Sequence, residues 1–380
     1  MARAITWDEL RQLAAFEAEK GCAISFYLAL DPAAATGAGD EHTRLNSLLD
    51  EGAKADGATA RELSHEQRSG LRADFDRIRR HVEEELDRDG VHGLAVFSAG
   101  LDNLWRAFAL TEPVSDGVKV SRELYVAPLV PLVGRGEGAV VVVVGREQGR
   151  FYRLRAGRLH EVADRFEEQP RRHDQGGRSQ ARLQRHADEM AHGHLRAVAD
   201  ELDGLVRRLR GPRVVVAASE ATWAEFSTLL SHEAKAAVAG WTQAEAHAGG
   251  AELLALAIPV LEEWRAAREA ETVERWREES ARNGRAAAGW RSTLEAASDG
   301  RVELLLYQEG TDRRGWRCPA CGRISADGGK CPLDGTRMDP REEGLDLAVH
   351  RTLAHGGTVW AVRHRDDLAA AEGIGALLRF

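Results

Sequence analysis

The sequence predicts a mixed α/β protein of three domains, and three observations carry that expectation. Its 380 residues exceed one domain at ~100–200 residues each. Short β-branched runs alternate with longer segments of helical period along the whole chain. A glycine-rich break, Gly134-Arg-Gly-Glu-Gly138, follows the first α/β stretch, and a third stretch begins after a long charged helix. The expected domains are 1–135, 138–283 and 286–380, the last with an insert at 317–338.

In the first domain, Ile24-Ser-Phe-Tyr-Leu-Ala-Leu30 reads as a strand that ends at the turn Asp31-Pro32. Arg44–Lys54 and Gln67–Leu86 have helical spacing. In the second of these, Leu71, Phe75, Ile78 and Val82 form one apolar stripe. Leu94–Phe97 and Trp105–Leu110 are strands around a Gly100 turn. Tyr125–Val133, with Pro128 and Pro131, is an edge or connecting segment.

The second domain opens on Val140–Val144, a buried strand. Arg150–Arg155 alternates apolar and basic residues, and Arg158–Val162 follows a turn at Gly157, which completes a three-strand meander. After a polar loop comes a helix from about Ser179 to Leu209, stopped by Gly211-Pro212. Val214–Ala217 is a second all-apolar strand, followed by helices at Thr222–Leu230 and Ala251–Arg282. This order fits a mixed sheet flanked by helices.

The third domain alternates helix Thr293–Ala297, strand Val302–Tyr307, the cysteine insert, helix Leu345–Ala354, strand Thr358–Arg363 and a terminal Gly373-Ile-Gly-Ala-Leu-Leu-Arg-Phe380. A small α/β/α sandwich interrupted by a metal-bound hairpin accounts for that alternation.

Composition narrows the function classes. With 43% hydrophobic and 30% charged residues, the chain has the make-up of a folded globular protein. No apolar run approaches the ~18 residues of a membrane span, and the N-terminus lacks the basic and apolar regions of a signal peptide. A cytoplasmic location is therefore expected, with no membrane partner. The net charge of −9 excludes a uniformly basic nucleic-acid coat, so a polyanion must be met by a local patch.

Three of the four cysteines fall within Cys318–Cys331, which points to metal chemistry rather than a disulfide framework. Cys22, beside an apolar run, reads as a core residue. Cys318-Pro-Ala-Cys321-Gly and Cys331-Pro-Leu-Asp334-Gly share one frame, two tight turns that each offer two ligands. Zinc takes four tetrahedral ligands, here Cys318, Cys321, Cys331 and, in the place of a fourth thiolate, Asp334. A closed site of this kind is structural. The alternative is a relic site that has lost its metal.

The most informative segment is Gln169–His186. Between Arg171 and Arg196 stand six Arg and four His against three acids, a basic patch in an acidic chain. Arg178, Arg182 and Arg185 follow i, i+4, i+7 and share a helix face suited to phosphates. Gly176-Gly177 allows close backbone approach, and the helix that begins just after it offers free amides. The alternative reading is a solvated helix face with a Gly-Gly linker.

The order meander, Gly-Gly loop, Ser-x-x-Arg helix, all-Val strand resembles the central domain of the archaeal and eukaryotic class-one peptide release factors. The terminal Gly373–Phe380 tail and the cysteine insert resemble that family's last domain. The similarity covers roughly residues 139–380 and is nearest to the bacterial branch of the superfamily, related to Pelota-type rescue factors and Vms1-type peptidyl-tRNA cleavage enzymes. It implies an RNase-H-like central domain and a glycine loop that enters the peptidyl transferase centre. A two-metal nuclease reading of such a domain is disfavoured, because Val140–Val144 carries no carboxylate.

The resemblance implies two alternative functions. In one, the protein hydrolyses the peptidyl-tRNA ester without reading a codon, with Gly176, Gly177 and Gln180 as the catalytic positions and Arg171, Arg172, His173, Arg178, Arg182 and Arg185 holding rRNA or tRNA. In the other, it is a non-catalytic factor that occupies and protects the ribosomal A site during hibernation. The family's loop reads Gly-Gly-Gln, whereas here Arg178 follows Gly177 and the glutamine comes at Gln180, a spacing similar to the Gly-x-x-Gln of the Vms1-type enzymes. The first domain has no Asn-Ile-Lys-Ser stop-codon motif. The ribosome, its rRNA and tRNA are the implied partners, with a translational GTPase as a further one.

Overall fold

The computed structural model describes residues 5–30, 38–59, 63–88, 90–133, 138–155, 157–166, 178–209, 211–245, 247–282 and 284–380; at 38–40, 55–59, 163–166 and 178–187 it describes the backbone alone. The chain forms two compact units, one made of 1–135 with 269–380, the other of 136–268. It is a mixed α/β protein, with four separate sheets among the described residues. Among the described residues, no helix is long and apolar enough to cross a membrane.

The N-terminal part of the first unit contains helix α1 (Trp7–Ala14), strand β1 (Ala23–Ala29), helices α2 (Ala38–Thr59) and α3 (His65–Arg80), and strands β2 (Gly93–Ala99), β3 (Leu104–Leu110) and β4 (Gly117–Ser121). The strands form an antiparallel sheet in the order β3-β2-β1-β4. Thr6 and Ser64 cap α1 and α3, each with a capping box that satisfies the first free amides. β1 is buried on both faces. Ile24, Phe26 and Leu28 pack with Leu71, Phe75 and Ile78 of α3 and Leu45 and Leu49 of α2, the stripe expected from the sequence. Asp74, buried on α3, accepts hydrogen bonds from Ser98 Oγ and from the Gly100 amide at 2.9 Å, which fixes α3 to the end of β2. Two features differ from the sequence reading: residues 81–85 form one wider π-type turn instead of continuing α3, and β4 is an additional short strand. Within the connecting segment, 127–132 is a 3-10 turn with Pro128 at its start.

The second unit contains strands β5 (Val140–Val144), β6 (Gln148–Arg155) and β7 (Arg158–Phe166), helix α4 (Arg178–Arg208), β8 (Val214–Ala218), α5 (Glu220–Leu229), α6 (His232–Ala237), β9 (Val238–Thr242) and the long helix α7 (Gly250–Ala281), of which 250–268 belong to this unit. The sheet order is β7-β6-β5-β8-β9. The meander β5-β6-β7 is antiparallel, while β8 and β9 run parallel to β5. Because β5 lies at the centre, its five valines are covered on both sides. Val140, Val142 and Val144 meet Leu195, Val198 and Leu202 of α4, and Val141 and Val143 meet Leu253, Ala257 and Leu261 of α7. This two-sided burial is why the strand reads as an unbroken apolar run.

The C-terminal part of the first unit adds β10 (Ala286–Ala288), α8 (Trp290–Ser298), β11 (Val302–Gln308), the short strands β12 (Gly315–Arg317), β13 (Ile324–Ser325) and β14 (Asp339–Arg341), α9 (Gly344–Ala354), β15 (Thr358–Val362) and β16 (Ile374–Leu378). Its main sheet has the order β10-β16-β11-β15, with only β11 and β15 parallel. α8 and α9 cover one face, and Val273 and Trp276 from the end of α7 cover the other. β12–β14 form a separate three-stranded sheet that frames the cysteine insert. One core joins the two parts of this unit: Tyr27, Phe97 and Phe108 of the N-terminal sheet belong to the same buried cluster as Trp290, Leu294 and Val349.

Candidate functional site

Two places hold the residues singled out by the sequence. The first is the connection from β7 to α4 in the central unit. Arg171, Arg172, His173, Gly176 and Gly177 lie outside the described residues. The backbones of Arg178, Gln180, Arg182 and Arg185 form the first turns of α4, and their side chains are outside the described set. The connection is residues 167–177, between the edge strand β7 and the start of a 31-residue helix. The first four amides of that helix have no partner within it, and its dipole favours an anion there.

The later turns of α4 are held firmly. Gly149 of β6 allows the closest approach, since a Cβ there would meet Val198 Cγ2 at 2.5 Å. Arg146 in the β5–β6 turn pairs with Asp188 at 2.7 Å. His192 pairs with Glu225 of α5 at 3.0 Å, and Ser231 before α6 donates to Asp203 at 2.7 Å. The helix that carries the basic stripe is thus anchored to the meander on one side and to α5 and α6 on the other.

The second place is the cysteine cluster. The sulfurs of Cys318, Cys321 and Cys331 and a carboxylate oxygen of Asp334 all lie within 4.8 Å of one another. Cys321 Sγ is 3.5 Å from Cys331 Sγ, and Cys318 Sγ is 3.4 Å from Asp334 Oδ2. Tetrahedral ligands at a zinc–sulfur distance of ~2.3 Å stand about 3.8 Å apart, so the donors need little rearrangement to meet one ion. These four residues could hold a metal.

The two turns are built alike. The Gly322 amide donates to the Cys318 carbonyl at 2.9 Å, as the Gly335 amide does to Cys331 at 2.9 Å. The Cys318 amide donates to Arg323 and the Cys331 amide to Thr336, both at 2.8 Å. Gly322 and Gly335 have φ of +73° and +74°, a region that other residues rarely adopt. This explains the glycine in each half of the sequence frame. Cys318 and Cys331 are buried beneath Met338 and Trp316, while Cys321 and Asp334 face outward.

Neighbours set the protonation of the cluster. The Thr336 amide, then the thiols of Cys321 and Cys318, hold the Asp334 carboxyl well below its usual range. The Arg323 amide favours the Cys321 thiolate, but burial and the hydrogen bonds to Asp334 and the other two thiols outweigh it and push Cys321 up to about 12. Burial opposes the Cys331 thiolate, yet the Leu333 and Asp334 amides and the Cys321 and Cys318 thiols lower its pKa. A thiol set of this kind suits a cation that displaces protons. Arg351 of α9 also belongs to this neighbourhood, and the sequence reading did not include it. Burial and Arg317 lower its pKa, while Cys321 and Glu123 raise it. No spacing rule points from a helix back to a knuckle.

Residues 125–262 match the family model described as bacterial archaeo-eukaryotic release factor family 10. Over that segment the chain is similar to the bacterial archaeo-eukaryotic release factors. The match runs from before β5 into α7, so the meander, the 167–177 connection and α4 all lie inside the matched segment. Among solved structures, the chain is similar to an archaeal translation termination factor, aRF1, at 16% identity over 99% of both chains with a TM-score of 0.26. It is similar to Pelota of Archaeoglobus fulgidus at 14% identity over 100% of this chain and 93% of that one, TM-score 0.35. It is also similar to Dom34 of S. cerevisiae at 9% identity over 76% and 79%, TM-score 0.40. No curated protein matches the chain.

Proposed function

We propose that this protein binds the ribosome and, without reading a codon, hydrolyses the ester of peptidyl-tRNA to rescue a stalled complex. The observation that supports this most is the release-factor family match over 125–262, which contains Gly176-Gly177 and Gln180 at the entry to α4. In the reaction, water adds to the ester carbonyl and the bond to the tRNA ribose oxygen breaks. The peptide leaves as an acid, and the tRNA regains its hydroxyl. Such a step needs positioning and stabilisation of the developing oxyanion more than a strong base. The backbone at Gly176 and Gly177 approaches the ester, and Gln180 orients the water. Arg178, Arg182 and Arg185, with Arg171, Arg172 and His173 before the loop, grip rRNA or the tRNA end through phosphates. The protein acts in the cytoplasm, where a translational GTPase is its candidate delivery partner.

The cysteine cluster is read as a structural zinc site of Cys318, Cys321, Cys331 and Asp334. An ion there cross-links the two knuckles and takes no part in hydrolysis, since all four positions are filled by the chain.

A second reading is favoured by Arg178, which stands where the related loop carries glutamine. In that reading the protein occupies the A site and protects the ribosome without chemistry. Purified protein added to ribosomes carrying a labelled peptidyl-tRNA separates the two. Peptide release supports the hydrolase, co-sedimentation without release supports the protective factor, and the absence of both would exclude a ribosomal role.

A further inference from the structure

Arg351 stands on α9 beside the knuckle that carries Cys321. Its Nη1 lies 3.8 Å from the position a Cβ on Gly322 would take. The residue is half-buried, and its Nε is buried with no hydrogen-bond partner among the described residues. The neighbouring cations have carboxylates of their own, Arg317 on Glu123 and Arg323 on Asp299 at 2.8 Å. A guanidinium withdrawn from water among other guanidiniums is costly unless an anion faces it.

The cysteine cluster supplies that anion once it is loaded. Three thiolates and a carboxylate carry four negative charges, and a divalent ion cancels only two of them. The excess is exposed on the Cys321 side, where Gly322 brings the knuckle against Arg351.

We propose that Arg351 is the outer counter-charge of the metal centre, a positioning residue that opposes its net negative charge and fastens the loaded knuckle to α9. This rests on the cluster being a zinc site. Outer partners of metal ligands commonly change affinity by ~10–100-fold.

The test loads the full-length protein with zinc and challenges it with a chromogenic chelator. Zinc release is read against chelator concentration for wild type, Arg351→Met, which keeps the stem and removes the charge, and Arg351→Lys, which keeps the charge. Arg351→Gln takes the place of the Met variant if that variant does not fold. The expected result is release at about 10-fold lower chelator concentration for the uncharged variant, with Arg351→Lys within about twofold of wild type. Wild type that retains no zinc overturns the site and this role together. Wild type that holds zinc while the uncharged variant holds it as tightly overturns the role of Arg351 alone. Equal losses in the Lys and uncharged variants also overturn it, since shape rather than charge would then matter.

Discussion

His350 Nε2 lies 2.7 Å from the carbonyl oxygen of Leu124, a contact that only a hydrogen on that nitrogen can satisfy. The other ring nitrogen, Nδ1, is 2.9 Å from the Ala14 carbonyl. With both nitrogens facing acceptors, the imidazole is held as a cation. Asp346, one turn earlier on α9, is its counter-ion at 3.4 Å. The same carboxylate accepts from the Val126 and Ala127 amides at 2.9 Å. A buried ion pair thus ties α9 to the segment that leaves the N-terminal sheet.

This pair gives the first unit a pH-dependent stability. Burial lowers the His350 pKa, but Asp346, by charge and hydrogen bond, and then Glu123 and the Leu124 carbonyl raise it to about 9. The folded state therefore holds its proton more tightly than the unfolded chain. The stabilisation is complete below about pH 6.5 and is lost as pH rises through 9, with a size on the order of 3 kcal/mol. Urea unfolding at pH 6, 8 and 9.5 should show wild type losing stability relative to His350→Gln as pH rises. Parallel pH profiles would show that the imidazole is not charged.

The seating of α4 depends on the absence of a side chain at Gly149. Gly149→Ala should destabilise the central unit by about 1–3 kcal/mol, because a Cβ there would stand 2.5 Å from Cγ2 of the fully buried Val198. Adding Val198→Ala should recover part of the loss. A Gly149→Ala protein as stable as wild type would mean that the helix is not packed on β6 at this point.

Purified protein should carry about one zinc per chain. Chelation or Cys318→Ser should lower the melting temperature of the first unit and leave the central unit folded, since each has its own core. Zinc near zero, with melting unchanged by chelator, would remove the metal from the account.

Much of this architecture is local and so was legible. The valines of β5 sit at the centre of a sheet, and a strand covered on both faces leaves an apolar run in the sequence. The knuckles were legible because each is closed by hydrogen bonds within a few residues. β4 and β9 escaped notice because they are five-residue edge strands, one carrying the exposed Lys119 and the other Gly240. The shared core of Tyr27, Phe97, Trp290 and Val349 leaves no periodic trace, because its partners are far apart in the chain. His350 and Asp346 stand at a visible i, i+4 spacing, yet nothing in the sequence marks them as buried against Leu124. The glycine loop is legible only as a motif, and its chemistry depends on the ribosome it would enter.

The basic stripe should make binding sensitive to salt, because each phosphate contact releases counterions. Arg182→Glu and Arg185→Glu should lower ribosome affinity and flatten its salt dependence together. If both variants bind as wild type at every salt concentration, the stripe is a solvated face and the RNA contact lies elsewhere.

The central claim is tested most directly by single-turnover peptide release from a purified ribosome–peptidyl-tRNA complex. The account predicts that wild type releases the peptide and that Gly177→Ala abolishes release while binding is nearly kept, because a Cβ blocks close approach to the ester. Gln180→Ala should slow release by roughly 10²-fold if its side chain orients water, and Arg178→Ala should act mainly on binding. Wild type that occupies the A site but frees no peptide would contradict hydrolysis and leave the protective factor in its place.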